Sequence, residues 1–251
     1  MTSIIQMFQS RSSLIWLVLR IPVVLFSLSF HEASHAFMAH KLGDDTAKNL
    51  GRLTLNPIKH LDLIGAICLF FFGIGWAKPV PIMTRNFKNP KRGMAISALA
   101  GPVSNVILSL IGLFLCSIFS KILGYDYEAG ILKIFENNHG NTAAFLLCLF
   151  FYIFHITNLL LAIFNMLPVP PLDGSRLALL FLPEKIYFGV MKYERIIMIV
   201  FLALLFFVGF DLIGKVGYAA SDGLFRLVSK IPGLSGTEYA PAVLTNLLYN
   251  I

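Results

Sequence analysis

HEASH, residues 31–35, follows directly on the apolar stretch LIWLVLRIPVVLFSLSF, residues 14–30. The stretch and the motif together have the length of a membrane-spanning helix, which takes about 20 apolar residues. Ionisable side chains inside such a segment are energetically costly and indicate a functional site by default. The two histidines and the glutamate therefore predict a polar site built into a membrane helix.

The composition of the whole chain also indicates a membrane protein. Of its 251 residues, 57% are hydrophobic and 23 are Phe, which is more apolar material than a soluble protein of this length needs. Four segments are long and apolar enough to cross a bilayer, and two shorter ones are marginal. The four are 13–40, 94–122, 143–167 and 193–214, and the marginal ones are 61–76 and 177–182.

The distribution of Lys and Arg predicts the orientation. Basic residues are concentrated in the connections 41–93 and 168–195 and are sparse in 121–141. By the positive-inside rule, the first two connections are cytoplasmic and the third is outside. The formal net charge of +7 then reflects topology and an attraction to anionic lipid, because no nucleic-acid-binding module is recognisable. We expect a lipid bilayer as a partner and no nucleic acid.

The spacing within HEASH predicts a metal site. His31 and His35 are four residues apart, so on a helix they project from one face and can share an ion. Zinc suits imidazole ligands, and a catalytic zinc site takes three protein ligands and leaves one position open. Glu32 is placed to accept a proton from water activated by the metal. The motif therefore predicts one catalytic Zn²⁺, with Glu32 as general base.

The third metal ligand must come from elsewhere in the chain. The other histidines are poor candidates, because of their spacing or because they fall in loops or packing positions: His40, His60, His139 and His155. Asp173 is a better candidate, in FNMLPVPPLDGSR, residues 164–176, where the prolines end a helix and make the backbone irregular. Such backbone is tolerated at membrane depth where it lines a polar cavity. Asp173 is therefore the predicted third ligand.

HEASH and NMLPVPPLDG (165–174) together resemble the site-2 protease family of intramembrane zinc metalloproteases, whose signature pairs HExxH with NxxPxPxLDG. The resemblance covers about residues 14–185 and is to the compact bacterial branch, which has no PDZ or CBS domains. Further similar stretches are GRLTLNPIKHLD (51–62), GWAKPVPI (75–82), RNFKNP (85–90) and AGPVSN (100–105). The chain departs from the branch pattern at Asp62-Leu63 and at Ile82-Met83-Thr84, which concerns the substrate-facing loop.

The resemblance implies roles for several more residues. Asn165 falls on the family's active-site Asn, an expected donor to the reacting carbonyl, and Asp173 on its metal-ligand Asp. In GIGWAKPVPI (73–82), the prolines favour an extended edge that could pair with a substrate strand. The predicted substrate-binding residues there are Trp76, Lys78, Pro79, Val80 and Pro81. Asn105 and Asn158 are expected to form hydrogen bonds between helices near the site.

The predicted fold is an all-α polytopic membrane protein. Three helices, which carry HEASH, AGPVSN and NMLPVPPLDG, form the catalytic core, and a small membrane-dipping β-element is expected within about 50–90. The whole chain, 1–251, is expected to be a single membrane-embedded protease domain. Its catalytic core is expected in about 13–183, followed in 184–251 by one or more additional helices and a tail.

The predicted function is regulated intramembrane proteolysis in a bacterial cell membrane, with the active site towards the cytoplasm. The substrate would be a membrane protein, cut in or next to a transmembrane segment. A protease of the prenyl-protein type would need a later glutamate ligand in an ExxxD-type motif, which is not evident here. The alternative is a non-proteolytic metal-binding or transport protein on the same scaffold. A transporter would be expected to carry polar groups along several spans, whereas here they are concentrated at one depth.

Overall fold

The structure, a computed structural model, describes residues 11–62, 65, 77–122, 142–208, 211–234 and 237, most of which are helical. The helices are α1 (Arg11–Lys41), α2 (Thr46–Asn49), α3 (Pro57–His60), α4 (Pro90–Ile122), α5 (Thr142–Asn165), α6 (Asp173–Ala178), α7 (Glu184–Lys192), α8 (Glu194–Val208) and α9 (Asp211–Val228). Short 3-10 turns occur at Thr84–Asn86 and Leu179–Phe181.

The long helices correspond to predicted membrane segments. α1, α4 and α5 fall on the predicted segments 13–40, 94–122 and 143–167. Within the described ranges, Pro90–Ile122 and Ala143–Asn165 are long and apolar enough to cross a membrane. The predicted segment 193–214 contains α8 and the start of α9, and the segment 177–182 contains the end of α6 and the second 3-10 turn.

Helix α1 ends in a glycine cap that turns the chain back on the helix. Gly43 has a φ of +105°, a conformation that a side chain disfavours. Its N–H donates to the carbonyl of His40, and the N–H of Asp44 donates to the carbonyl of Ala39. These two bonds are those of a Schellman motif, which satisfies carbonyls that the end of a helix leaves without partners. The cap directs Asp44 back beside the end of the helix that carries HEASH.

The described residues form two compact units. The first combines the described parts of Met1–Val24, Ile107–Leu159 and Lys215–Ile251, and the second those of Leu25–Val106 and Leu160–Gly214. HEASH, AGPVSN and NMLPVPPLDG all belong to the second unit. The expectation of one protease domain over 1–251 stays a prediction.

The predicted β-element falls largely outside the described residues, because 63–64 and 66–76 belong to the undescribed part of the chain. Leu61 and Ala77, on either side of this gap, form an isolated antiparallel bridge. The N–H of Lys78 donates to the carbonyl of His60 at 2.8 Å, next to the bridge. No longer strand occurs in the described ranges, and the β-element itself stays a prediction.

A histidine forms the polar centre of the first unit. His155 is fully buried on α5, and its Nε2 lies 3.0 Å from the hydroxyl of Ser221 on α9. Its Nδ1 lies 2.9 Å from both the hydroxyl and the carbonyl oxygen of Ser109 on α4. Phe225 packs edge to face against the ring. Both ring nitrogens therefore have protein partners, which supports the packing role predicted for His155.

We expect His155→Ala to destabilise the protein without removing zinc. The substitution leaves the hydroxyls of Ser109 and Ser221 without their shared partner, and such interhelical bonds contribute about 1 kcal/mol in membrane proteins. Thermal unfolding in detergent should shift to a lower temperature, while the zinc content of the folded protein stays that of wild type. Loss of zinc in this variant would instead make His155 a metal ligand.

Candidate active site

The two histidines of HEASH meet on one buried face of α1. His31 is 5% exposed and His35 is 7% exposed. Their rings stand edge to face with centroids 4.5 Å apart, and their Nε2 atoms are separated by 3.0 Å. This pairing follows from their spacing, because residues four apart on a helix are neighbours on its surface.

Asp173 brings a carboxylate oxygen to the same point. Its Oδ2 lies 3.1 Å from Nε2 of His31 and 3.4 Å from Nε2 of His35. Asp173 is the first residue of α6, directly after the proline-rich turn. Gly174 allows the turn to close, since a Cβ there would lie only 2.2 Å from the carbonyl oxygen of Met166. The structure thus brings together the three residues predicted as metal ligands.

These positions fit a tetrahedral zinc site. Ligand atoms about 2.0–2.1 Å from a tetrahedral ion lie roughly 3.3 Å from one another, and the observed separations are 3.0, 3.1 and 3.4 Å. Oδ2 of Asp173 is buried, and no hydrogen bond to it occurs within the described residues. A buried carboxylate oxygen without a partner is unfavourable, so a cation between these three side chains would satisfy it.

The second nitrogen of each imidazole is held by α4. Nδ1 of His31 is hydrogen-bonded to Oδ1 of Asn105, and Nδ1 of His35 donates to the carbonyl of Ser97 at 2.8 Å. Because both partners are acceptors, each Nδ1 carries a proton, and Nε2, which faces Asp173, is the nitrogen that can bind a metal ion. Asn105 therefore makes a bond between helices beside the site, as predicted, and the bond orients a candidate ligand.

Gly101 on α4 gives the two imidazoles their space. A Cβ at this position would lie 2.5 Å from Cε1 and Nε2 of His35 and 2.6 Å from Cε1 of His31. The sequence alone assigns neither Gly101 nor Ser97 to the site. The signal in the sequence is the run of small residues in SALAGPVSN (97–105), which allows another helix to approach closely. The run does not indicate that the approaching groups are the two imidazoles.

We expect Gly101→Ala to lower the zinc content strongly. The added methyl group would overlap both imidazoles, and relief requires either the rings or α4 to move. Because tight zinc binding depends on ligand atoms held within a few tenths of an ångström, purified protein should lose most of its metal. Gly189→Ala is the matched control, since a Cβ at Gly189 in α7 meets no atom within 4 Å. Equal zinc content in the two variants would show that Gly101 does not lie against the imidazoles of His31 and His35.

Glu32 lies beside the segment that contains the predicted substrate-binding residues. Its Oε2 accepts a hydrogen bond from the N–H of Val80 at 2.9 Å. The N–H of Lys78 donates to the carbonyl of His60. The carbonyl of Lys78 accepts a 2.6 Å hydrogen bond from the guanidinium of Arg52. Lys78 and Val80, two residues apart, thus both direct main-chain groups to partners within the protein.

Pro79 and Pro81 occupy the alternate positions of this segment and have no N–H group. In extended backbone, the main-chain groups of successive residues point to opposite edges. An extended course of the segment would therefore direct the carbonyls of Pro79 and Pro81 away from the partners of Lys78 and Val80, and these two prolines contribute no amide donor. Trp76, the fifth predicted substrate-binding residue, lies outside the described residues.

The two asparagines of α5 make bonds within their own helix. Asn165, the last residue of α5, is half-buried, and its amide donates to the carbonyl of Leu161 at 2.9 Å. Asn158 is fully buried in the first unit and donates to the carbonyl of Phe154 at 2.8 Å. The role of Asn165 towards the substrate and the position of Asn158 near the site stay predictions.

Comparison with known proteins gives a consistent result. The sequence profile of peptidase family M50 matches residues 20–208. Three curated relatives carry the name "Putative zinc metalloprotease". YwhC of Bacillus subtilis is 40% identical over 209 residues, which cover 83% of this chain and 90% of the relative.

The two other relatives are more distant. Rip2 of Mycolicibacterium smegmatis is 30% identical over 155 residues, covering 60% of this chain and 52% of the relative. MJ0611 of Methanocaldococcus jannaschii is 32% identical over 148 residues, covering 59% and 62%. No solved structure matches the chain significantly.

The profile match spans HEASH, AGPVSN and NMLPVPPLDG, the three stretches that build the cluster. The family is one of membrane proteases, which agrees with the two apolar helices of membrane-spanning length. Zinc, predicted from the two histidines and the aspartate, is the metal named for the relatives. The chain therefore belongs to peptidase family M50, the site-2 protease family, and is a zinc metalloprotease.

Proposed function

We propose that this protease hydrolyses a peptide bond in or next to a transmembrane segment of a membrane-protein substrate, as in regulated intramembrane proteolysis. The observation that carries the proposal is the triangle of His31, His35 and Asp173, with Glu32 adjacent. Both histidines are bonded to α4, which is one of the two helices of membrane-spanning length. A soluble peptide substrate would not require a site whose ligands are held by such a helix.

Each residue of the site then has a chemical role. His31, His35 and Asp173 hold Zn²⁺, which when bound polarises a carbonyl and activates water at neutral pH. Glu32 accepts the proton of the attacking water and returns it to the leaving amine. The hydrogen bond from Val80 orients the Glu32 carboxylate for this transfer.

Asn165 is proposed as a donor to the reacting carbonyl. A side-chain amide has two N–H groups, and the bond to Leu161 uses one of them. The second can donate to a substrate oxygen as negative charge develops there. Fixed donors of this kind stabilise the transition state, because they do not need to reorient during the reaction.

The segment from Trp76 to Pro81 is proposed to bind the substrate main chain. A helix hides its carbonyl groups in its own hydrogen bonds, so the substrate must unwind locally before it is cut. The carbonyls of Pro79 and Pro81 can accept N–H groups of the unwound strand. Because Pro79 and Pro81 have no N–H group, these residues cannot donate to another copy of the same segment.

The test is cleavage of a single-pass membrane protein in vesicles that also contain the purified protease. The proposal predicts products whose new termini, mapped by mass spectrometry, lie in or next to the transmembrane segment. The products should be absent with Glu32→Gln. Cleavage confined to soluble loops far from the membrane would contradict the proposal.

We expect 41–93 and 168–195 to be cytoplasmic and 121–141 to be outside, so the active site faces the cytoplasm. Single cysteines at Lys88 and Glu128, in a background without the three native cysteines, should react with a membrane-impermeant reagent from opposite sides. The charge distribution is the physical reason. Labelling of both positions from one side would refute this topology.

A further inference from the structure

We propose that Asp44 is a positioning residue of the active site, which fastens the segment 77–83 to the end of α1 and so holds the N–H of Val80 on Glu32. The inference rests on the proposed function, in which Glu32 is the general base. It concerns a residue that contacts neither the metal ligands nor Glu32 in the bonds described above.

Asp44 is a fully buried carboxylate with four hydrogen bonds. Its Oδ1 accepts from the N–H of Thr46 at 3.1 Å, from the hydroxyl of Thr46 at 2.5 Å and from the amide of Asn86 at 2.7 Å. Its Oδ2 accepts from the N–H of Met83 at 2.7 Å. Two of these four donors belong to the chain that follows the substrate-binding segment.

All of these donors are neutral, and within the described ranges Asp44 has no ion pair. A buried carboxylate without a counter-charge is unfavourable unless several donors satisfy it. The Asp44 carboxylate therefore does not serve to neutralise a positive charge. Its hydrogen bonds connect two parts of the chain that are far apart in sequence. Gly43 makes the connection possible, since the helix cap described above directs Asp44 towards Met83 and Asn86.

The segment 77–83 is thus held at both ends. At its start, Lys78 is bonded to His60 and to Arg52, and at its end Met83 is bonded to Asp44. Between these points, Val80 supplies the bond to Glu32. Pro79 and Pro81 cannot contribute a main-chain donor, so the position of Val80 depends on the two fastened ends.

The ionisation of Asp44 agrees with this arrangement. Burial opposes the charged form, but the bonds from Thr46, Met83 and Asn86 outweigh burial and lower the pKa of Asp44 below its ordinary value. A lowered pKa means that the stabilisation is present above the ordinary value and is lost as the pH falls through the lowered one. The connection is therefore intact throughout the neutral range.

The test compares Asp44→Asn with Asp45→Asn as the matched control. Asparagine has one oxygen and one N–H₂ group in place of the two carboxylate oxygens. The N–H₂ group must face either the N–H of Met83 or the donors of Thr46 and Asn86, and the donors that it faces lose their acceptor. Asp45 is the neighbouring residue with the same charge, but its side chain is 55% exposed and pairs with His40 at the surface. Zinc content, amide hydrogen exchange in detergent and the separate values of kcat and KM are measured for each protein.

For Asp44→Asn, we expect wild-type zinc content and unchanged exchange of peptides from 31–41. Exchange of peptides from 77–86 should rise, and kcat should fall, each by about 10-fold or more, the effect of one lost bond to a charged group. Asp45→Asn should behave as wild type in every measurement. Asn86→Ala removes one of the two connecting bonds. It should also raise exchange in 77–86 and lower kcat, but by less than Asp44→Asn does.

Unchanged exchange in 77–86, or raised exchange with wild-type kcat, would overturn the proposal. A merely stabilising residue would lower the melting temperature and leave the kcat of the folded fraction unchanged. If Asp44→Asn does not fold, Asn86→Ala decides by the same criteria. Exchange is measured without substrate, so a wild-type protein that cleaves no membrane protein would count against the proposed function, while the exchange data would still decide whether Asp44 fastens the segment 77–83.

Discussion

Replacing Glu32 by glutamine should abolish peptide hydrolysis and leave the zinc in place. The substitution keeps the size of the side chain and an oxygen that can accept the N–H of Val80, but the amide cannot take a proton from water. Loss of a general base typically reduces the rate by about 10²–10⁴. The three side chains of the metal cluster are unchanged, so one zinc per chain should remain.

The measurement is zinc content, melting temperature and cleavage rate on the same purified sample. Glu194→Gln is a suitable control, because Glu194 pairs with Arg176 and is not in the cluster. We expect that variant to retain zinc and activity. Full activity of Glu32→Gln would refute the assigned mechanism, whatever its metal content.

Asp173→Asn should lose both zinc and turnover. The oxygen Oδ2 of Asp173 lies within 3.4 Å of both imidazole Nε2 atoms, and without its charge the site has two neutral imidazoles and an amide. Two imidazoles are too few for a tight catalytic zinc site. We expect most of the metal to be absent after purification and cleavage to fall below detection.

Asn165→Ala should differ from Asp173→Asn in the same assays, because it should lose activity but keep its zinc. If Asn165 donates to the substrate carbonyl, its removal lowers the rate by about 10²–10³ and leaves the zinc content of wild type. A purely structural Asn165 would give a less stable protein whose folded fraction cleaves normally. Full zinc occupancy in Asp173→Asn would show that the third ligand lies elsewhere in the chain.

Local spacing made two parts of the metal cluster predictable from the sequence, the histidine pair and the turn that precedes Asp173, while their meeting was expected from the family resemblance. His31 and His35 must share a face of any helix that contains them, and the prolines before Asp173 must end α5 whatever it packs against. Hydrophobic segment length likewise predicted α1, α4 and α5. In each case a short stretch of chain contains all the information that the prediction needs.

Contacts between distant segments could not be predicted in this way. The bonds of Ser97 to His35 and of Asn105 to His31 depend on how α4 packs on α1. The bond of Val80 to Glu32 and those of Asp44 to Met83 and Asn86 depend on the path of the loop. Small or polar residues permit such contacts, but their partners are determined by tertiary packing, which periodicity does not describe.

X-ray absorption spectroscopy at the zinc edge is the direct test of whether His31, His35 and Asp173 hold the zinc. For the wild-type protein we expect two imidazole ligands together with oxygen ligands at about 2.0–2.2 Å, and no sulfur at about 2.3 Å. The same spectrum is expected for His155→Ala. A third imidazole or a sulfur ligand in the wild-type spectrum would show that these three residues are not the zinc ligands.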